Sequence, residues 1–166
     1  MKLLWISATN PAVSLPDLSR IRRILERDEL FVVVQDLFLT ETAELADVVL
    51  PGATWGEQLG TFTNADRTVH IAEQAVEPPG EARSDLDIFL DYARRMGFRD
   101  RDGEPLIKWD DPESAFEAWM ACSRGRPCDY SAITYDRLRG DSGIQWPCTE
   151  DSPHGTERLY ADGRVS

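Results

Sequence analysis

Three short apolar runs in the first third of the chain, at residues 2–8, 30–34 and 47–51, restrict the fold more than any other feature. The run at 30–34 is continuous and mostly β-branched, which is typical of a strand buried on both faces. The run at 47–51 is expected to be another short buried strand, which Pro51 ends. A turn at residues 9–11 is expected to end the first strand, and two segments predicted as helices, residues 16–27 and 40–46, separate the runs. Because strands that alternate with helices pair in parallel, this order predicts an α/β fold with a mostly parallel sheet and flanking helices.

Residues 52–72 are expected to form a loop and then a strand. The stretch 52–64 is irregular and rich in Gly and Thr, with a helical turn expected near Trp55. Residues 67–72 alternate well enough to predict a strand. The aromatic side chains of Trp55 and Phe62 are expected to belong to the core.

A helix follows, and the chain then changes character. Ser84 is expected to cap a helix that Gly97 ends. Its buried stripe is expected to consist of Phe89, Tyr92, Ala93 and Met96. Farther on, a helix is expected from Asp111 or Pro112, with Trp119 facing inward. The sequence is therefore divided into a domain at residues 1–98 and a helical and irregular extension at residues 99–166.

The charge balance is strongly acidic, with 30 acidic and 18 basic residues and a formal net charge of −12. This balance argues against binding to nucleic acid, where lysine and arginine supply the affinity. No apolar stretch is long enough to predict a membrane span. A phosphorylated ligand stays compatible with the sequence, because backbone N–H groups and helix N-termini bind anions without net positive charge.

Cysteine and histidine usage excludes several classes of enzyme. Three cysteines, Cys122, Cys128 and Cys148, indicate reduced thiols rather than a disulfide framework, so the cytoplasm is the expected compartment. The sequence contains no CxxC, and neither His70 nor His154 has a partner at metal-ligand spacing. Motifs of serine hydrolases, zinc proteases and P-loop NTPases are also absent from the sequence.

Polar side chains follow the three predicted strands at the points where the strands end. Asn10 follows the first, Gln35 and Asp36 the second, and a loop that ends at Gln58 the third. Ligands of parallel sheets bind at this edge. A carboxylate such as Asp36 can accept hydrogen bonds from guanine N1–H and N2–H or from a ribose diol, and the amides suit a nucleobase or pterin. The alternative is that Asn10 and Asp36 only cap turns.

Asp85 lies near the start of the helix predicted after Ser84. An acidic residue there complements the helix dipole, so the pattern alone favours a structural role.

Five segments form an ordered set: VQDLFLTETA at 34–43, ADVVLP at 46–51, WGEQLGTFTNADR at 55–67, EPPGEARSD at 77–85 and IQWPC at 144–148. With these segments, nearly the whole chain resembles the bis-molybdopterin guanine dinucleotide oxidoreductases of the dimethyl sulfoxide reductase type. Within that family, assimilatory nitrate reductases are most similar and formate dehydrogenases next.

The resemblance implies a Rossmann-like domain that cradles the guanosine end of one molybdopterin guanine dinucleotide. It implies cofactor contacts from Asn10, Gln35, Asp36, Thr40, Gln58 and Asp85. Gln58 stands where relatives often carry lysine, which weakens a charge contact there. For Asp85 the resemblance favours a guanine or ribose contact over the structural role.

The implied function is the cofactor-binding part of a molybdenum oxidoreductase, a nitrate reductase that converts nitrate to nitrite by two-electron oxo transfer. A formate dehydrogenase-type part, or a non-catalytic binding module that kept the fold, is the alternative. The family's cysteine cluster for an iron–sulfur centre, its molybdenum-ligating segment and its C-terminal β-barrel do not occur in this sequence. We therefore expect the chain to be inactive alone, with the remaining domains and an electron-donor protein or subunit as its partners.

Overall fold

The three apolar runs form a parallel sheet. Its strands are β1 (Leu3–Ser7), β2 (Phe31–Asp36) and β3 (Val48–Pro51), and β2 lies between the other two. Both pairings are parallel, so the predicted α/β class and parallel sheet are confirmed. Contrary to the prediction, β3 is not buried: Val48 and Val49 are each 38% exposed because β3 is an edge strand.

The structure is a computed structural model that describes residues 1–140, 142–160 and 163. It comprises two compact units, each built from two stretches of sequence. Unit 1 is Met1–Gln58 with Val76–Met96, and unit 2 is Leu59–Ala75 with Gly97–Ser166. The predicted division at residue 98 therefore separates Leu59–Ala75 from the residues with which they pack. As a division into domains it stays a prediction.

Helices cover one face of the parallel sheet in unit 1. The face that carries Ile6, Val32 and Val34 packs against α1 (Pro11–Ser14) and α2 (Leu18–Leu25). Proline at the first position of α1 has the fixed φ that a helix start requires, and its missing N–H is not needed there. The sequence predicted only a turn at α1 and a longer α2. Residues 40–46, predicted as a helix, contain only a 3₁₀ turn.

The opposite face of the sheet carries Trp5 and Gln35 and meets α3 (Asp85–Met96). The indole of Trp5 lies 5.2 Å from the ring of Phe89 and 5.0 Å from that of Tyr92. As predicted, the Ser84 hydroxyl accepts a hydrogen bond from the N–H of Asp87 (3.1 Å), and Gly97 follows with φ +64°.

The predicted buried stripe of α3 is only partly correct. Ile88 and Leu90 are its buried residues, whereas Phe89 and Met96 are exposed. A sheet of three strands spans only about 10 Å between its outer strands, so it covers only part of a helix.

Unit 2 contains an antiparallel sheet of β4 (Gly60–Thr63), β5 (Thr68–Ala72) and β6 (Ile144–Gln145), with β5 in the middle. Only β5 was predicted. β4 lies inside the stretch expected to be a loop, and β6 is too short to produce a periodic pattern. Phe62 of β4, expected in the core, is half exposed and stacks on His70 at 5.3 Å.

Two helices, α4 (Pro112–Ser123) and α5 (Tyr135–Gly140), lie in the predicted C-terminal extension. The side chain of Asp111 caps α4 by accepting a hydrogen bond from the N–H of Ser114 (2.8 Å). Trp119, predicted to face inward, is exposed. The core of unit 2 consists of Val69, Phe116, Tyr130, Ile133, Tyr135, Leu138, Ile144 and Cys148.

Asp129 organises the loop between α4 and α5, and it is only 6% exposed. Its carboxylate accepts hydrogen bonds from the N–H groups of Gly125 (2.6 Å) and Ser131 (2.8 Å). Burial raises the pKa of Asp129, but these hydrogen bonds outweigh burial and leave the pKa below its ordinary value. A lowered carboxyl pKa stabilises the fold above the unfolded-state pKa, and this stability is lost as pH falls through the folded-state pKa.

We therefore predict that Asp129→Asn lowers the free energy of unfolding at pH 7 by about 1–3 kcal/mol, because an amide nitrogen then faces a backbone donor. Urea unfolding across a pH series would measure this difference. It should shrink as the wild-type carboxylate becomes protonated below roughly pH 4. A difference that stays constant down to pH 2 would contradict the role of the charge.

Candidate functional site

The C-terminal edge of the parallel sheet brings together loops that are distant in sequence. The N–H of Ala8, just after β1, donates to the carbonyl of Gln35 (2.9 Å), and the N–H of Gly52, just after β3, donates to the carbonyl of Asp36 (3.0 Å). The loops after β1 and β3 therefore flank the end of β2. This is the edge at which open α/β sheets bind ligands.

The start of α3 reaches the same edge through Arg83. The N–H of Arg83 donates to the carbonyl of Pro51 (3.1 Å), and its carbonyl accepts from the N–H of Ala53 (2.8 Å). A β-carbon placed on Gly52 would lie 3.6 Å from Asp85 Oδ1 and 3.7 Å from the carbonyl of Asp36. The Asp36 carbonyl and the Asp85 carboxylate, far apart in sequence, thus both lie close to Gly52.

Each of these two aspartates has one engaged carboxylate oxygen. Asp36 Oδ1 accepts from the N–H of Leu37 (2.7 Å), and Asp85 Oδ1 accepts from the side-chain amide of Gln35. Among the described residues, the second oxygen of each has no hydrogen-bond donor. One carboxylate oxygen of each aspartate is therefore available as an acceptor.

Gln35 is buried, with 1% of its surface exposed. Its Oε1 accepts a hydrogen bond from the indole N–H of Trp5 (3.2 Å), and its Nε2 donates to Asp85. Both ends of the amide are thus engaged within the protein. A direct ligand contact from Gln35 stays a prediction.

Asn10 connects the loop after β1 to residues 41 and 42. Its Nδ2 donates to Glu41 Oε2 (2.7 Å), and its Oδ1 accepts from the hydroxyl of Thr42 (2.6 Å) and from the Thr42 N–H (3.2 Å). The hydrogen bond from Asn10 lowers the pKa of the Glu41 carboxyl. These contacts fit the turn-stabilising alternative for Asn10, while a ligand contact stays a prediction.

Thr40 and Gln58 both bond within their own loops. Thr40 Oγ1 accepts from the N–H of Ala43 (3.3 Å), at the start of the 3₁₀ turn. Gln58 Nε2 donates to the carbonyl of Ala53 (3.3 Å) and so supports the loop that contains Gly52. Neither hydrogen bond joins these side chains to Asp36 or Asp85.

The sequence analysis missed an exposed apolar group beside the edge. Phe38 and Leu39, which follow Asp36, are 74% and 71% exposed. Trp55, expected in the core, is 76% exposed. The available signal was the apolar triplet at residues 37–39 immediately after a polar strand end, where a solvated loop would carry polar side chains.

Within residues 1–140, 142–160 and 163, no cluster of three or more His, Cys, Asp or Glu side chains could hold a metal ion. Over the same residues, no helix is long and apolar enough to span a membrane. The candidate site therefore consists of backbone groups, carboxylates and amides.

A parallel sheet with helices on both faces and polar groups at its C-terminal edge defines an α/β domain of the kind in which ligands bind at that edge. Residues 1–95 match the family model "Molybdopterin oxidoreductase", and the chain belongs to this family.

The similar proteins include nitrate reductases and a formate dehydrogenase subunit. Nitrate reductase of Synechocystis is 39% identical over 96% of this chain, and F420-dependent formate dehydrogenase subunit alpha of Methanocaldococcus jannaschii is 43% identical over 98%. Assimilatory nitrate reductase of Haloferax mediterranei is 42% identical over 95%. This chain spans only 22% of the length of each of these relatives.

Acetylene hydratase from Pelobacter acetylenicus has a similar structure, with a TM-score of 0.64 at 24% identity. The match covers 84% of this chain and 18% of the hydratase chain. At this identity the likeness supports the fold alone.

Proposed function

We propose that this chain is the part of a molybdenum oxidoreductase that binds the guanosine end of a bis-molybdopterin guanine dinucleotide cofactor. One observation carries the proposal: Asp36 ends β2 and the Asp85 carboxylate lies close to Gly52, so both aspartates lie at the C-terminal edge of the parallel sheet. Carboxylates accept paired hydrogen bonds from adjacent N–H donors or from a diol, and guanosine has both kinds of group.

The donor and acceptor balance at this edge fits guanosine. The N–H groups of Leu37 and Gly52 already donate to Asp36, whereas one carboxylate oxygen each of Asp36 and Asp85 has no donor among the described residues. The N1–H and N2–H edge of guanine supplies the donors that such acceptors need. Asn10, Thr40, Gln35 and Gln58 are proposed as further contacts or as supports of these loops.

When bound, the molybdenum and pterin would supply two-electron chemistry, and the protein would supply binding and orientation. The role of this chain would be to bind the nucleotide end of the cofactor. We propose nitrate reduction to nitrite as the activity of the whole enzyme. Formate dehydrogenase chemistry is the second candidate, since a formate dehydrogenase subunit is 43% identical to the chain.

The remaining enzyme domains and an electron-donor protein or subunit are the proposed partners, and an iron–sulfur cluster is proposed for a part outside this sequence. The cytoplasm is the proposed compartment, supported by free cysteines among the described residues. A non-catalytic module that binds the same cofactor would share the fold but lack the activity.

Mass spectrometry and metal analysis of the native protein test the proposal. We expect a pterin, guanosine monophosphate released by hydrolysis, and molybdenum, in amounts that rise and fall together across preparations. A different nucleotide, or molybdenum without guanosine, would contradict it.

The 166-residue chain by itself is predicted to show no turnover of nitrate or formate with a reduced or oxidised viologen dye. Its described residues hold no metal cluster site, and its sequence has no CxxC. Activity that increases in proportion to the amount of purified chain would contradict this prediction.

Two substitutions of Gly52 that differ in side-chain size test whether the cofactor lies close to this residue. In Gly52→Ala the new β-carbon meets Asp85 Oδ1 at 3.6 Å, an ordinary contact, so cofactor retention should be preserved. In Gly52→Val the two additional methyl groups occupy space beside Asp36 and Asp85. We expect affinity for the cofactor to fall roughly tenfold. Guanosine content after gel filtration measures both variants, and equal retention by the two would contradict the proposed position of the nucleotide.

A further inference from the structure

Gln35 is a polar side chain buried in an otherwise apolar strand. Its neighbours along β2, Val32, Val33 and Val34, are all buried, and Gln35 itself is 1% exposed. Burial of an amide is unfavourable unless both its oxygen and its nitrogen are hydrogen-bonded. A valine or leucine would complete the strand at lower cost, so the glutamine requires an explanation beyond packing.

The direction of the Gln35 amide follows from its partner on β1. An indole N–H can only donate, so the amide atom that faces Trp5 must be the oxygen. The amide nitrogen then faces Asp85 and donates to Oδ1. Trp5 thereby determines which end of the amide the aspartate meets.

Trp5 is itself held against the helix that carries Asp85. Its ring lies 5.2 Å from Phe89 and 5.0 Å from Tyr92, both on α3. The connection from Trp5 through Gln35 to Asp85 therefore joins β1, β2 and the first residue of α3. Asp85 is fixed relative to the sheet edge through one of its oxygens, while its other oxygen has no donor among the described residues.

We propose that Gln35 is a positioning residue that gives the site its preference for guanine over adenine. The inference rests on the proposed function. Because Gln35 is 1% exposed and its amide bonds to Trp5 and Asp85, we infer that it acts on the base through Asp85. The edge then offers carboxylate acceptors from Asp36 and Asp85 to the ligand.

This arrangement discriminates between the two purines by their hydrogen-bonding edges. Guanine presents two adjacent donors, N1–H and N2–H, which match carboxylate oxygens. Adenine presents an N1 acceptor beside an N6–H donor, so one of its positions would face a carboxylate oxygen without a proton between them. A free glutamine amide, in contrast, pairs well with an adenine edge.

Two substitutions test the proposal in the 166-residue chain, with GDP and ADP as probes and isothermal calorimetry as the measurement. Trp5→Phe removes the indole donor but keeps a ring against Phe89 and Tyr92, and so frees the amide oxygen. Gln35→Met removes the amide while nearly conserving side-chain length. The wild-type chain should bind GDP at least about tenfold more tightly than ADP.

Both variants should lose most of this preference, so that the ratio of the two dissociation constants approaches one. If Gln35 had only a structural role, the substitutions would weaken the binding of GDP and ADP equally and leave the ratio of their dissociation constants unchanged. Asp28→Ala, which removes an exposed carboxylate in the turn before β2, is the control and should keep the ratio. Far-UV circular dichroism and the urea midpoint identify any variant that does not fold, and the ratio is then taken from the other variant.

The outcomes separate this inference from the proposed function. A wild-type chain that prefers GDP, with both folded variants keeping that preference, would overturn the role of Gln35 and leave the proposed function standing. A wild-type chain that binds neither nucleotide, or binds them equally, would contradict the proposed function and the inference with it. Loss of preference in Trp5→Phe and Gln35→Met, with Asp28→Ala unaffected, supports both.

Discussion

Asp36→Ala in the native protein is expected to lower its affinity for the guanosine end of the cofactor by about 10- to 150-fold. This range corresponds to the roughly 1.5–3 kcal/mol that a hydrogen bond to a charged group contributes. Asp36 is the last paired residue of β2, and one of its carboxylate oxygens has no donor among the described residues. The measurement is guanosine and molybdenum per protein after extensive dialysis.

Asp28→Ala is the matched control, because Asp28 is an exposed carboxylate in the turn before β2 and lies outside the sheet edge. It should retain cofactor as the wild type does. Equal cofactor content in Asp36→Ala and Asp28→Ala would remove Asp36 from the site. Equal loss in both would indicate a general effect of net charge instead.

Ile133→Ala is expected to lower the free energy of unfolding of unit 2 by about 2–5 kcal/mol, through lost apolar burial and the cavity left behind. Ile133 is 0% exposed and belongs to a core that joins β5, α4, α5 and β6. Leu106→Ala, at a side chain that is 51% exposed in the same unit, should change stability by less than about 0.5 kcal/mol. Urea denaturation measures both.

A similar small effect of the two substitutions would mean that residues 97–160 do not fold around the core described for unit 2. That result would favour the irregular extension that the sequence predicted, in which Ile133 is no more buried than Leu106. A large effect of Ile133→Ala, in contrast, requires a close-packed interior that cannot collapse around the cavity.

The sequence predicted the parallel sheet because its signals are local. Valine-rich runs, helical spacing between them and proline after Leu50 all lie within a few residues of the elements that they specify. β4 and β6 lacked such signals. β4 starts at a glycine in a Gly- and Thr-rich stretch, and β6 has only two residues, so both depend on pairing with β5.

The candidate site was predictable to the extent that strand ends are predictable. Asn10, Gln35 and Asp36 follow from the order of strands alone. Asp85 did not, since its position depends on the hydrogen bonds of Arg83 to the backbone after β3, some thirty residues earlier in the chain. The family resemblance indicated Asp85, whereas its local pattern indicated a helix-start residue. Asp85 is the first residue of α3, as the local pattern indicated, and its ligand contact stays a prediction.

The role of Gln35 could not be read from spacing. A glutamine at a strand end looks available to a ligand, and only the position of the Trp5 indole shows that its amide is engaged. The exposed side chains of Phe38, Leu39 and Trp55 illustrate the converse problem. Apolar residues predict burial, but a loop at a ligand edge can present them outward.

Backbone chemical-shift mapping of the 166-residue chain titrated with GDP tests the central claim most directly. The account predicts saturable shifts concentrated at the amides of residues 36–37, 52–53 and 85, the three stretches that meet at the C-terminal edge of the parallel sheet. Shifts confined to unit 2, or no saturable shift in unit 1 at any GDP concentration, would contradict it.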